Sequence, residues 1–385
     1  MINSSFNFFT PTQLIFGPGK LENIKEIAKL YGEKCLLVSR PREGSLKTTY
    51  QRVEALLNSV GIEVSFFDEI VPNPTLDGIN KGVAMAAKQQ VDFILGVGGG
   101  SVMDSAKLMA LLYESDGIID WKAAFSDYNN PFTFIPSKSS SLPFIAISTT
   151  SGTGSQCTQA AVVSNIKKKE KITLFHLDLF PKAAIVDPEL MLSVPRIVTA
   201  ATGFDAFTHA FESYLGGRTS PLTEHLSLQA IKLVIEYLPK AIKDPKNIEY
   251  RTHLAWADTT AGMCLSNGGA DLPHPLGEII GGICQRIAHG ETLAMVYPAF
   301  LNYKQKIAHK KFEKIAAFLE LEKTPQAFVN RVLELLETTD LSKSIKRAAI
   351  SDLERKEILS HPLLKKLAPE NIESIHNIMS QSIKE

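Results

Sequence analysis

The apolar positions fall into two textures along the chain. In the first half, short apolar runs alternate with stretches of helical spacing. Residues 35–38 follow a helical stretch at 21–30, and residues 63–67 follow another around 50–59. Residues 93–97 lead into glycines and then a helical pattern at 102–112, and residues 144–147 and 184–186 supply further strands. Short buried strands alternating with helices predict a mostly parallel sheet with helices on both faces. Beyond Pro195 the strand-like runs nearly vanish, and helical segments at 200–214, 222–240, 250–264, 312–319 and 328–336 take over. Prolines at 188 and 195 interrupt regular structure between the two textures. The pattern therefore predicts an α/β domain over residues 1–190 and an all-α domain over 191–385.

Composition narrows the class. A chain of 385 residues exceeds what one core usually serves, which agrees with two domains. Lys plus Arg equals Asp plus Glu at 41 each, so charge offers no case for nucleic acid or an anionic membrane as partner. No apolar stretch reaches the ~18 residues of a membrane span, and residues 1–10 lack the basic start and apolar run of a secretory signal. Cys35, Cys157, Cys264 and Cys284 are widely spaced with no C-x-x-C pair, which fits a reducing, cytoplasmic setting better than a disulfide framework. The basic run Lys167-Lys168-Lys169 lies between two strand-like pieces and is read as a solvated hairpin turn.

Two loops carry the first candidate chemistry. Gly98-Gly99-Gly100-Ser101 stands directly between a strand and a helix, with Asp104 just inside that helix. Glycines let the backbone approach a ligand closely, and the free amides of a helix start favour an anion. The plainer reading is a tight turn with Ser101 as N-cap. The second loop, residues 148–155, follows another strand and holds Thr149, Thr150, Thr153 and Ser155 among its small hydroxyl side chains and glycines. Two such loops at strand carboxyl ends of one open sheet point to a dinucleotide. The spacing is not G-x-G-x-x-G, which disfavours an ordinary Rossmann enzyme. The strand at 35–38 ends in Ser39-Arg40 with no acid before Glu43. An acid there would accept from the ribose 2′-hydroxyl of NAD, whereas serine and arginine suit a 2′-phosphate. NADP(H) is therefore expected over NAD(H).

Asp205 and His209, spaced i and i+4, share one face of a helix and suit a divalent first-row ion. His274 and His289 sit beside small and apolar residues rather than in a charged run, and complete a candidate set of four. The ordinary alternatives are a helix-start residue for Asp205 and a surface partner to it for His209, and for His274 and His289 a hydrogen-bonded structural residue. That reading is given to the other six histidines, His176, His225, His253, His309, His361 and His376.

Taken in order, Phe16-Gly17 with Gly19, Asn73-Pro74-Thr75, the glycine loop with Asp104 and Lys107, the 149–155 loop, Asp187-Pro188, the Asp205/His209 helix, His274 and His289-Gly290 resemble the iron-containing alcohol dehydrogenases over roughly residues 11–305. The resemblance implies an N-terminal dinucleotide-binding domain, a helical C-terminal domain, and a metal in the cleft between them. It implies that Asp205, His209, His274 and His289 hold one divalent ion, commonly iron and in some members zinc. It places Asn73, Lys171 and both loops against the cofactor, and it implies a homodimer acting on a small alcohol or aldehyde. In this chemistry the metal acts as a Lewis acid on the substrate oxygen while hydride passes to or from the nicotinamide.

Two departures stand out. Many members carry a second histidine four residues from the metal-binding one; with His274 as the ligand, that position is Glu278. The glutamate usual after the second loop is Gln156. The competing readings are a glycerol dehydrogenase or a dehydroquinate-synthase-like enzyme of the same superfamily, and a non-catalytic nucleotide- or metal-binding module.

Overall fold

The computed structural model describes residues 5–113, 118–132, 141–367 and 371–384. Its main sheet has six parallel strands in the order β1-β8-β5-β4-β2-β3: β1 Gln13–Phe16, β2 Lys34–Val38, β3 Glu63–Phe67, β4 Phe93–Gly98, β5 Phe144–Ser148 and β8 Ala183–Val186. β4, β5 and β8 are buried at every position. Both faces are covered, so alternate residues feed two cores. Leu36, Ile94 and Ala146 pack on one face, and Cys35, Leu37, Leu95 and Ile147 on the other. This is why these strands read as continuous apolar runs. The edge strand β1 is mostly half-buried, and its short run escaped the pattern.

Chain order reverses direction across the sheet between β2 and β4. β3 lies beyond β2 on one side, whereas β4, β5 and β8 extend on the other. In open α/β sheets that reversal opens a crevice at the strand carboxyl ends. Ser39 and the glycine loop stand at its two lips.

Lys167 and Lys168 do form a hairpin turn, between the antiparallel strands β6 Ala160–Asn165 and β7 Glu170–Phe175. Lys169 closes it and pairs with Glu357 at 2.8 Å. β7 delivers Lys171, Thr173 and Phe175 to the cleft.

After β8 the chain is helical. Arg196–Leu215, Pro221–Lys243 and Ile248–Gly268 are three long helices. The helices Pro273–Ile283 and His289–Ile307 follow, and neither was evident in the apolar pattern. The first carries three glycines, which depress helix propensity, and the second has Pro298 inside and is covered all round over residues 292–301. A single core built around Phe204, Phe207, Phe211, Tyr297 and Phe300 joins these helices. No helix among the described residues is long and apolar enough to cross a membrane, and the four cysteines are buried free thiols.

Candidate metal and dinucleotide site

Asp205 and His209 lie in the middle of the helix Arg196–Leu215, so Asp205 is no helix-start residue. Small and aromatic neighbours bury both. His274 enters from the first turn of Pro273–Ile283, and His289 opens the helix His289–Ile307. Donor atoms of Asp205, His209 and His274 lie within 4.8 Å of one another. Nε2 of His209 is 3.5 Å from Asp205 Oδ1, and Nε2 of His274 and of His289 are each 3.8 Å from it. His289 stands outside the tightest group and is the most exposed, its side chain 31% accessible.

The site carries a sign of what it holds. Asp205 Oδ1 and His274 Nε2 are buried without a hydrogen-bond partner. Such atoms are costly unless something satisfies them. A carboxylate and imidazoles converging with free lone pairs suit a divalent first-row cation. Burial pushes the Asp205 carboxyl up to about 8, against the pull of His274. Burial, with His274 beside them, also holds His209 and His289 well below the usual imidazole range, in the neutral form that ligates. His274 is the exception: burial opposes its charge, but the Glu212 and Asp205 carboxylates outweigh it and raise it to about 9. A cation at this point would take over from that proton.

Each buried imidazole is oriented from behind. His209 Nδ1 lies 3.2 Å from the Gly152 carbonyl of the second loop. His274 Nδ1 lies 2.8 Å from Glu212 Oε2, which also accepts from the Asp271 amide at 2.8 Å, while Tyr297 donates to Oε1 at 3.2 Å. A proton on Nδ1 leaves Nε2 free toward the metal. Glu212 was missed in the sequence although the signal was there: Asp205, His209 and Glu212 stand at i, i+4 and i+7 of one helix face.

The dinucleotide loops meet at the carboxyl ends of β4 and β5. Gly99, not Ser101, is the N-cap of the helix Gly100–Leu111, and no side chain caps its amides. The second loop packs directly on this turn. A Cβ on Gly99 would lie 2.8 Å from Thr150 Oγ1, and one on Gly100 would lie 2.5 Å from Thr153 Cγ2. Gly98 ends β4, and Thr149 donates its amide to the Gly98 carbonyl at 3.0 Å. Asp104 accepts from Ser155 Oγ at 2.8 Å and from the Val162 amide at 2.9 Å, so it fastens loop and hairpin as well as lining the cleft. Ser39 is placed differently. It is fully buried, its hydroxyl donates to the Arg40 carbonyl at 2.9 Å, and it does not line the cleft cavity.

One cavity of ≈ 630 Å³ joins the two sets. Asn73, Gly100, Ser101, Asp104, Thr153, Ser155 and Lys171 line it together with Asp205, His209, His274, Glu278 and His289. Pro131, Phe132, Phe175, Leu265 and Pro275 supply apolar wall. Asn73 is held at φ 58° and donates to the Gln285 carbonyl across the cleft at 3.3 Å. Glu278 accepts from Thr173 Oγ1 at 3.2 Å. Burial raises its carboxyl and lowers the Lys171 ammonium, and each group partly restores the other's charge. Lys171 is the one Lys or Arg among the described lining residues, too little for the cluster of basic groups with which a dehydroquinate-synthase-like site holds a phosphate.

A metal-ready carboxylate–histidine cluster facing a phosphate-ready helix start across one cavity defines a nicotinamide-linked, metal-dependent dehydrogenase. The comparisons with known proteins agree. The "Iron-containing alcohol dehydrogenase" family model matches residues 11–188, and the "Fe-containing alcohol dehydrogenase family, C-terminal" model matches residues 199–383. The chain belongs to the iron-containing alcohol dehydrogenase family. It is similar to an NADPH-dependent butanol dehydrogenase of Clostridium saccharobutylicum, with 32% identity over 91% of this chain and 88% of the relative. An NAD-dependent methanol dehydrogenase of Bacillus methanolicus is 31% identical over 81% of this chain and 80% of its own length. Among solved structures, an archaeal halo-thermophilic Red Sea brine pool alcohol dehydrogenase superposes with a TM-score of 0.89 at 29% identity, covering 99% of this chain and 100% of the other. The protein is an NAD(P)-dependent oxidoreductase that transfers a hydride between the dinucleotide and a small alcohol or aldehyde.

Proposed function

We propose that the enzyme works with Fe²⁺ held by Asp205, His209, His274 and His289, and with NADP(H) in preference to NAD(H). The observation that carries the metal assignment is the pair of buried, unpartnered donor atoms, Asp205 Oδ1 and His274 Nε2, turned to one point beside His209 and His289. A divalent ion bound there supplies Lewis acidity toward the substrate oxygen; zinc would serve the same role. The residues of the chain do the rest. The 98–101 turn and the 149–155 loop hold the diphosphate on helix-start amides and small hydroxyls. Asn73 and Lys171 position the nicotinamide half, and Glu278 with Thr173 exchanges the hydroxyl proton in place of a second histidine. The apolar wall around Phe132, Phe175 and Leu265 takes the substrate's carbon chain. Residues 1–190 act as the dinucleotide domain and 191–385 as the metal domain of a cytoplasmic homodimer.

The coenzyme preference rests on the end of β2. Arg42 is already paired with Asp68 at 2.9 Å and stacked 4.2 Å from the Phe66 ring. The Ser39 hydroxyl donates to the Arg40 carbonyl, so its part is to leave out a carboxylate, and the exposed Arg40 side chain is the candidate partner of a 2′-phosphate. Steady-state kinetics with an aldehyde panel, both coenzymes and defined metals test this. A higher kcat/KM with NADPH than with NADH is expected, and the reverse order would refute the preference. Activity that survives complete removal of metal would refute the metal assignment.

A further inference from the structure

We propose that Asp258 is a positioning residue that sets both the metal ligand His209 and the phosphate-facing loop through one span of backbone. The proposal rests on the reading of the 149–155 loop as part of the dinucleotide site. Asp258 stands in the helix Ile248–Gly268 among small residues, is fully buried, and touches neither metal donor nor cleft cavity. No Lys or Arg is paired with it among the described residues. Its oxygens face the loop instead. Oδ1 accepts from the Gly154 amide at 2.7 Å, and Oδ2 accepts from the Gln156 side-chain amide at 2.7 Å, with the Gly152 amide also turned towards it. An uncompensated buried carboxylate is expensive, and these donors are what make it tolerable.

The loop is pressed onto the helix at the same point. Gly154 takes a left-handed φ of 59°, and a Cβ there would lie 2.4 Å from the Gly262 backbone. A side chain does not fit between the loop and the helix. From this anchor the loop reaches in two directions. Toward the metal, the Gly152 carbonyl takes the Nδ1 side of His209 at 3.2 Å. That contact fixes which nitrogen is protonated and so leaves Nε2 for the ion. Toward the phosphates, Thr150 and Thr153 abut Gly99 and Gly100, and Ser155 bonds Asp104. Gln156 is four positions after Gly152, so a shift of the anchor moves a metal ligand's orienter and the walls of the phosphate turn together. In this contact the amide is on the loop side, as Gln156, and the acid on the helix, as Asp258.

The exchange of acid and amide supplies the test. Asp258→Asn keeps the shape but removes the charge on which the Gly154 N–H and the Gln156 NH₂ converge, and its own NH₂ is met only if Gln156 turns over and gives up its place beside Thr259. Combining it with Gln156→Glu lets the introduced amide donate to the introduced carboxylate and restores both contacts. Zn²⁺ affinity by chelator competition, NADPH affinity by fluorescence titration and the apoprotein Tm are measured for each. The single variant is expected to lose on the order of 10-fold or more in both affinities, as for other groups that orient metal ligands, and the double variant to recover most of both. A single variant that binds Zn²⁺ and NADPH as the wild type does, whatever its Tm, would overturn the proposal, as would loss of one affinity alone or a double variant without recovery. If the wild type itself binds neither NADPH nor NADH, the reading of the loop fails and takes the proposal with it.

Discussion

The two ends of the cleft are made of different materials. The dinucleotide end is backbone: a glycine turn, an uncapped helix start and a loop of small hydroxyl residues, each contiguous in sequence and rigid because strands buried on both faces hold it. The end proposed for the metal is side chains: four candidate donors drawn from three helices and spread from residue 205 to residue 289, with His209 and His274 held from behind. Backbone amides come with the fold, whereas an imidazole must be told which nitrogen to offer. The metal end should therefore depend on buried orienting groups, and the dinucleotide end on the absence of side chains.

Glu212→Gln probes the first half of that contrast. The variant keeps an amide oxygen for the His274 Nδ1–H and the Asp271 N–H and turns its NH₂ to the Tyr297 hydroxyl, but it removes the carboxylate charge that supports the proton on Nδ1 and the basicity of Nε2. Metal affinity measured by chelator competition is expected to fall by roughly 10- to 100-fold, with NADPH affinity nearly unchanged. An unaltered metal affinity would show that the Glu212 charge does not support the His274 ligand. Gly99→Val probes the second half. The new side chain would run into Thr150 and stand where the backbone approaches the diphosphate. Coenzyme affinity is expected to drop about 10-fold, equivalent to ~1.4 kcal/mol, while metal content stays at wild type. The opposite pattern, metal lost and coenzyme retained, would erase the distinction between the two ends.

The smallest effect belongs to the periphery. Glu354 caps the helix Asp352–Leu359 and takes a two-pronged bond from Arg286, at 2.6 and 3.0 Å, just beyond the turn that leads to His289. The Arg286 bond, outweighing partial burial and aided by Ser351, holds its carboxyl down at about 2 from the usual 4.5. A depressed carboxyl contributes stability that is present above pH 4.5 and fades as pH falls toward 2. The pair lies at the surface, Arg286 exposed and Glu354 partly covered, so after solvent screening the contribution stays below about 1 kcal/mol. Glu354→Gln should flatten the pH dependence of Tm slightly in that window, and an identical profile would show the pair to be neutral.

The same contrast explains what was legible in the sequence. β2, β4, β5 and β8 announced themselves because burial on both faces leaves almost no polar position to blur the run, the half-buried edge strand β3 showed through Val64, Phe66 and Phe67, and the glycine loop followed from its place after β4. The Asp205/His209 pair was visible because one helix carries both. Glu212 lay on that same face and was passed over because an acid near a helix end looks solvated until the His274 helix is packed against it. Asp258 could not be seen, since its partners are over 100 residues away in a loop. Ser39 was read as a direct phosphate contact, yet its hydroxyl is spent on the neighbouring carbonyl, a detail that turns on one rotamer. The helices Pro273–Ile283 and His289–Ile307 were hidden by the glycines and proline that let them pack closely around the site.

The account stands or falls on His274, the residue whose free Nε2 faces Asp205 and whose pairing with Glu212 sets its direction. Elemental analysis of the wild type and of His274→Ala, each purified after loading with Fe²⁺ without oxygen, tests it most directly. One metal ion per chain in the wild type and near-complete loss in the variant, with NADPH still bound, is the predicted result. Full metal and full activity in His274→Ala would contradict it and move the fourth donor elsewhere in the cleft.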